Sequence, residues 1–124
     1  MQKIGRRSFI GGSLGATLAF PAVVSTLAAA PSDKIVLGLI GCGGRGTQLL
    51  QWLMQIPEVE IAWLCDVNER QFDRAVELVE HRQEKSPLLV KDFRRVLEDQ
   101  TVDGVINATP EHWHALMGIE AAQR

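Results

Sequence analysis

"KIVLGLIGCGGRG", residues 34–46, joins a run of β-branched and leucine side chains, interrupted by Gly38, to a loop with glycine at four of its six positions. Apolar residues at successive positions, rather than alternate ones, mark a strand buried on both faces, as in a parallel sheet covered by helices. Gly41, Gly43 and Gly46 take the three glycine places of G-x-G-x-x-G, and Asp66 lies 20 residues beyond Gly46. Strand, glycine loop, helix and a later acid at this distance form the fingerprint of a dinucleotide cradle. Gly41 permits the tight turn, Gly43 removes a side chain where pyrophosphate approaches, and Gly46 lets helix and strand pack closely. The anion then rests on free N–H groups at the positive end of the helix. Cys42, Gly44 and Arg45 complete the predicted cradle. Asp66 ends the second strand, where it accepts hydrogen bonds from ribose hydroxyls. A 2′-phosphate there meets like charge, so the expected cofactor is NAD, with Arg70 keeping NADP as the alternative. The upstream "FIGGSLGA", residues 9–16, lacks the spacing, the preceding strand and the later acid.

Outward from this loop the chain alternates between two periods. Leu49, Trp52, Leu53 and Ile56 recur at helical spacing and are stopped by Pro57. "VEIAWLCD", residues 59–66, reads as a strand. Asn68, with Gln71 three residues on, predicts a capped helix whose apolar face is Phe72, Ala75, Val76 and Val79. A short strand at 88–90 precedes a helix from Asp92 with Phe93, Val96 and Leu97 inward. "VDGVINAT", residues 102–109, is the fourth strand, and Thr109-Pro110 starts the fourth helix as N-cap and first-turn proline. The order β-α-β-α-β-α-β-α predicts an α/β fold, a doubly wound parallel sheet with helices on its faces.

In such a sheet ligands gather at the carboxyl ends of the strands, at the point where strand order reverses. Between the first and fourth strands, that point lies beside Asn107, Thr109, Pro110, His112 and His114. Thr109-Pro110 is also a good helix start with no chemistry attached. His112 and His114, two residues apart, diverge on a helix and make a poor metal pair; no metal is expected, and Trp113 reads as packing. Cys42 and Cys65 have no metal-site spacing and read as two buried thiols.

The first thirty residues carry Lys3, Arg6 and Arg7 and no acid, then an uncharged Ala/Gly/Leu/Val stretch ending in Ala28–Ala30. Basic, apolar and small segments in that order predict a secretory signal. Arg6-Arg7-Ser8-Phe9 resembles a twin-arginine export signal, with Gly5, Ile10 and Gly11 departing from the pattern. The expected outcome is export to the periplasm with cleavage near residue 30. The alternative is retention as an anchor, since roughly 20 apolar residues span a bilayer, but Gly11, Gly12, Gly15 and Pro21 dilute the stretch. No stable span is expected after cleavage. All 15 acidic residues and ten of the 13 basic ones lie beyond residue 30. That part is therefore acidic by five charges, with scattered bases, which argues against nucleic acid as a partner.

"GCGGRG", Asp66, "DFRRVLE" and above all "ATPEHWHA" (108–115) resemble the glucose-fructose oxidoreductase / inositol dehydrogenase / MocA (Gfo/Idh/MocA) family. The resemblance covers residues 31–124. It implies an NAD(P)-binding Rossmann domain followed by a larger open-sheet domain, acting as an oxidoreductase on a sugar, cyclitol or related polyol, with a homo-oligomeric full-length form. It implies that Thr109-Pro110 lines the cofactor and that His114 helps shape the site. The family's catalytic lysine sits in a Glu-Lys-Pro motif after the fifth strand, beyond Arg124. Residues 31–124 are thus expected to be a partial Rossmann domain, marginal in stability and inactive alone, from a truncated reading of a longer gene. A non-catalytic ligand-binding protein on the same fold, or a decayed gene, is the alternative.

Overall fold

Strand β1 (Ile35–Ile40) runs into helix α1 (Gly44–Leu53), followed by β2 (Val59–Cys65), a 3-10 turn (Glu69–Gln71), α2 (Phe72–Glu80), β3 (Leu88–Val90), α3 (Phe93–Glu98), β4 (Gly104–Asn107) and α4 (Glu111–Ala122). This is a computed structural model describing residues 33–124; the predicted signal over residues 1–30 lies outside them. The four strands form one parallel sheet in the order β3-β2-β1-β4. The chain steps outward from β1 to β2 to β3, then returns to the other side of β1. The reversal falls between β1 and β4, as the sequence predicts, and leaves a crevice above their carboxyl ends.

Two apolar clusters form the core. One joins Leu39, Leu50, Ile61, Leu64, Phe72, Ala75 and Val79, and so holds α1 and α2 on the sheet. The other joins Ile40, Cys65, Phe93, Val96 and Met117, and so holds α3 and α4. Adjacent residues on a strand point to opposite faces, which is why Leu39 and Ile40 belong to different clusters. On β2 the pairing shifts: Leu37 faces Ile61, but Gly38 faces Trp63, leaving Ala62 unpaired. This bulge reverses the parity of β2, so that Leu64 turns to the α1/α2 face and Cys65 to the α3/α4 face. On the α3 side a Cβ at Gly38 would stand 2.4 Å from Val96 Cγ1. Glycine there lets the helix lie directly against the middle of the sheet.

Three expectations change. The buried face of α1 is Gly46, Thr47 and Leu50, rather than Leu49, Trp52, Leu53 and Ile56. Trp52 is exposed, and Ile56 lies beyond the helix and is exposed as well. The contact of Gly46 with the β1 exit sets the rotation of the helix, and i+4 from Gly46 is Leu50; a run with Leu49, Leu50, Trp52, Leu53 and Met54 offers several competing stripes. Asn68 does cap, accepting Arg70 N–H, but it caps the 3-10 turn, and Gln71 precedes α2 without a side-chain cap bond. Thr109 is not the N-cap of α4, because Pro110 holds that position with extended backbone. The Thr109 hydroxyl is drawn to Asn107 Oδ1 instead. That side chain also accepts Thr109 N–H, closing a turn that ends β4 at Asn107, two residues before the predicted boundary. At Asp92, where the sequence predicts a helix start, the side chain caps α3 by accepting Arg94 N–H at 3.0 Å.

Candidate functional site

The β1–α1 loop divides three tasks among its four glycines. Gly41 has φ +95, a conformation that side chains rarely adopt, and a Cβ there would lie 2.8 Å from the Ala108 carbonyl as the chain leaves β4. A Cβ at Gly46 would meet Gly41 O at 1.9 Å, so only glycine lets α1 start this close to the strand. Gly43 and Gly44 are different. A Cβ at Gly43 would have only Gln71 Oε1 within reach, at 4.0 Å, and one at Gly44 would have nothing. Their openness leaves backbone N–H groups approachable. The first intrahelical bond of α1 runs from Thr47 N–H to Gly43 O, so the N–H groups of Gly44, Arg45 and Gly46 have no carbonyl one turn back. An open, glycine-floored helix start fits an anionic diphosphate.

Asp66 follows β2 beside this loop. Its Oδ2 accepts the Cys42 N–H and its Oδ1 the Asn68 N–H, each at 2.8 Å. A carboxylate has about four lone-pair sites, so two remain for hydroxyl donors. Across the crevice Asn107 and Thr109 form the turn described above. His114, in the first turn of α4, points Nε2 at Thr109 O, 2.7 Å away. A carbonyl only accepts, so Nε2 carries a proton here, and in the neutral ring Nδ1 is left as an acceptor.

These residues border one groove of about 1100 Å³. Of the residues predicted for the site, Gly41, Gly43, Gly44, Arg45, Asp66, Asn107, Thr109, Pro110 and His114 line it. Cys42 and Gly46 do not. Both are buried behind the loop, Gly46 against Gly41 and Cys42 with its thiol donating to Cys65 O at 3.6 Å. Burial first, and then the charge of Asp66, push the Cys42 and Cys65 thiols up from 9.0 to about 12. Both cysteines are free. Trp113, read as packing, is 44% exposed and lines the groove, tilted against His112 at 5.8 Å between ring centres. The sequence reading missed Val67, Asn68, Gln71, Lys91, Asp92, Phe93 and Arg94, which wall the groove beyond Asp66. Their signal was position: all but Gln71, which ends the 3-10 turn, stand just after a strand, at the carboxyl edge of the sheet. Arg70 does not line the groove. Among the described residues no group of three or more His, Cys, Asp or Glu comes together as a metal site, and no helix is long and apolar enough to cross a membrane.

Strand order, a glycine loop at the point of reversal and a groove over it define a Rossmann-type α/β domain. No family model matches the chain, but sequence and structural relatives do. A glycosyl hydrolase family 109 protein of Stenotrophomonas maltophilia is 36% identical over 124 residues, covering 95% of this chain and 27% of its own length. An α-N-acetylgalactosaminidase of Shewanella oneidensis is 30% identical over 147 residues, covering 99% and 32%. The chain thus spans about a third or less of the curated relatives it matches. Among solved structures, a myo-inositol dehydrogenase from Corynebacterium glutamicum aligns with TM-score 0.61 at 20% identity, over 73% of this chain and 26% of that one. A 3-ketoreductase from Actinomadura kijaniata, solved with NADP, aligns with TM-score 0.57 at 26% identity, over 73% and 27%. The fold is that of these dehydrogenase and ketoreductase structures, and the sequence relatives bear glycosidase names.

Proposed function

We propose that the chain is the NAD-binding part of an exported Gfo/Idh/MocA-type enzyme that acts on a sugar, within a longer polypeptide that supplies the substrate domain. The observation that carries this reading is the conjunction at the β1/β4 reversal: open backbone N–H groups over Gly43 and Gly44, with the Asp66 carboxylate beside them. Gly44 and Arg45 N–H would hold the diphosphate. Asp66 would accept the adenosine ribose hydroxyls and disfavour a 2′-phosphate. Asn107, Thr109, Pro110 and His114 would border the nicotinamide end, where Nδ1 of His114 is an acceptor for a substrate hydroxyl. The nicotinamide supplies reversible hydride exchange with a sugar carbon, which serves a dehydrogenase if the hydride is kept and a redox-neutral glycosidase if it is returned.

The names of the sequence relatives favour the second use, and with it an N-acetyl-α-galactosaminide as substrate. The intact polypeptide, purified and denatured, should release NAD. It should liberate sugar from a chromogenic N-acetyl-α-galactosaminide without net NADH. Net NADH formation with a free polyol would favour a plain dehydrogenase, and bound nucleotide without turnover of either would favour a non-catalytic binding protein. A preparation with neither nucleotide nor nucleotide affinity would sink the reading. Export rests on residues 1–30. A reporter fused after Ala30 should reach the periplasm, and Arg6→Lys with Arg7→Lys should abolish that transfer if the twin-arginine route is used.

A further inference from the structure

Beyond Asp66 the groove is bordered by a cation that the glycine fingerprint does not include. Val90 O accepts Asp66 N–H at 3.1 Å, and Val90 pairs with Cys65 in the parallel register. Lys91 therefore leaves β3 directly beside the residue expected to read the ribose. It lines the groove together with Asp66, Val67 and Asn68. Its ammonium is already engaged: Nζ lies 2.8 Å from Glu69 Oε1, on the 3-10 turn that follows Asn68. Both side chains are well exposed, 59% for Lys91 and 70% for Glu69. Glu69 itself does not line the groove. The other cations on the groove wall are held elsewhere, Arg94 by Asp92 and Glu120 and Arg45 by Gln48.

We propose that the Glu69–Lys91 pair tunes the cofactor selectivity that Asp66 sets. Glu69 neutralises Lys91, so the Asp66 carboxylate alone sets the potential at the ribose 2′ position and excludes a 2′-phosphate. Lys91 is thus a latent phosphate ligand, a compact ammonium on a flexible stem kept occupied by a neighbouring carboxylate. This inference rests on the dinucleotide reading above and adds to it the residues that tune the choice between NAD and NADP. Because the pair is exposed, its hold on Lys91 is weak, and the effect of releasing it is bounded accordingly.

The test is the dissociation constants of NAD and NADP, measured calorimetrically on the intact polypeptide at low salt. Glu69→Gln keeps the shape of the side chain and frees Lys91. NADP should bind about two- to fivefold tighter, the range an exposed ion pair supplies, while NAD affinity stays unchanged. Adding Lys91→Gln to Glu69→Gln should remove the gain, and the gain should shrink at high salt. A gain that survives Lys91→Gln would mean that loss of the Glu69 charge acts by itself, and would overturn the assignment to Lys91. NAD binding with an unchanged NADP:NAD ratio in Glu69→Gln overturns this inference alone. Binding of neither nucleotide to the wild type overturns the functional reading and this inference with it.

Discussion

Asp66 and Cys42 are joined across 24 residues of sequence by a 2.8 Å hydrogen bond from the Cys42 N–H to Asp66 Oδ2. The same carboxylate also accepts Asn68 N–H. A residue expected to face a ribose therefore also fastens the glycine loop to the start of the β2–α2 connection. Hydrogen bonds to a charged acceptor contribute about 1.5–3 kcal/mol each.

Asp66→Ala should weaken NAD binding by about tenfold or more without creating strong NADP binding, because the charge and the loop anchor are lost together. The Cys42 amide should exchange with solvent faster in the variant. A clean switch to NADP with unchanged Cys42 protection would show that Asp66 does not hold the loop.

Glycine positions should separate folding from binding. Gly46→Ala forces a Cβ into Gly41 O and should cost about 2 kcal/mol or more by denaturant titration, as overpacking does. Gly43 has ordinary backbone angles and open surroundings. Gly43→Ala should leave stability within about 0.5 kcal/mol yet reduce dinucleotide affinity severalfold, since the new methyl stands over the cradle. Equal stability losses in the two variants would contradict this division.

Gly38 and Val96 should be coupled. Gly38→Ala places a Cβ 2.4 Å from Val96 Cγ1, and valine is stiff at χ1, so α3 must shift. Val96→Ala removes that methyl at the expense of a cavity. The double variant should be more stable than the sum of the single losses implies, by about 1 kcal/mol, in a thermodynamic cycle. Strict additivity would place the helix elsewhere.

Burial and the Asp66 charge hold the Cys42 and Cys65 thiols near 12 in the folded chain against 9.0 otherwise. Both should react with iodoacetamide at pH 8 only as fast as the chain opens. The sign of the pH dependence follows. Below pH 9 both states keep the proton, and the contribution is fully present. Between 9 and 12 the unfolded chain ionises while the folded one does not, so stability falls as pH rises. Replacing both cysteines by alanine should flatten the unfolding midpoint over that alkaline window.

Much of this architecture was legible along the chain. The apolar run before Gly41, the spacing of Gly41, Gly43 and Gly46, and the helix-start residues at Asn68 and Asp92 are local signals. Each depends on the conformation of a few neighbouring residues, so periodicity and turn chemistry reach it. The strand sequence β1 to β4 and its crevice followed from those signals. The rotation of α1 was not legible, because an apolar run with leucines at 49, 50 and 53 fits several stripes, and the contact of Gly46 with Gly41 selects among them.

Residues brought together from distant positions were equally out of reach. The exposure of Trp113 on the groove and the Lys91–Glu69 pair depend on where loops end in space. The bulge at Ala62 is the clearest case. Alternation along "VEIAWLC" assigns each side chain a face by counting, but the pairing with β1 passes over Ala62, and the faces of Leu64 and Cys65 are exchanged. By itself the sequence determined that this chain folds as a parallel α/β cradle with an acid beside a glycine loop, because those features are written in neighbouring residues. Which atoms face the groove was decided by register and helix rotation, which are properties of packing between elements and exist only once the chain has closed on itself.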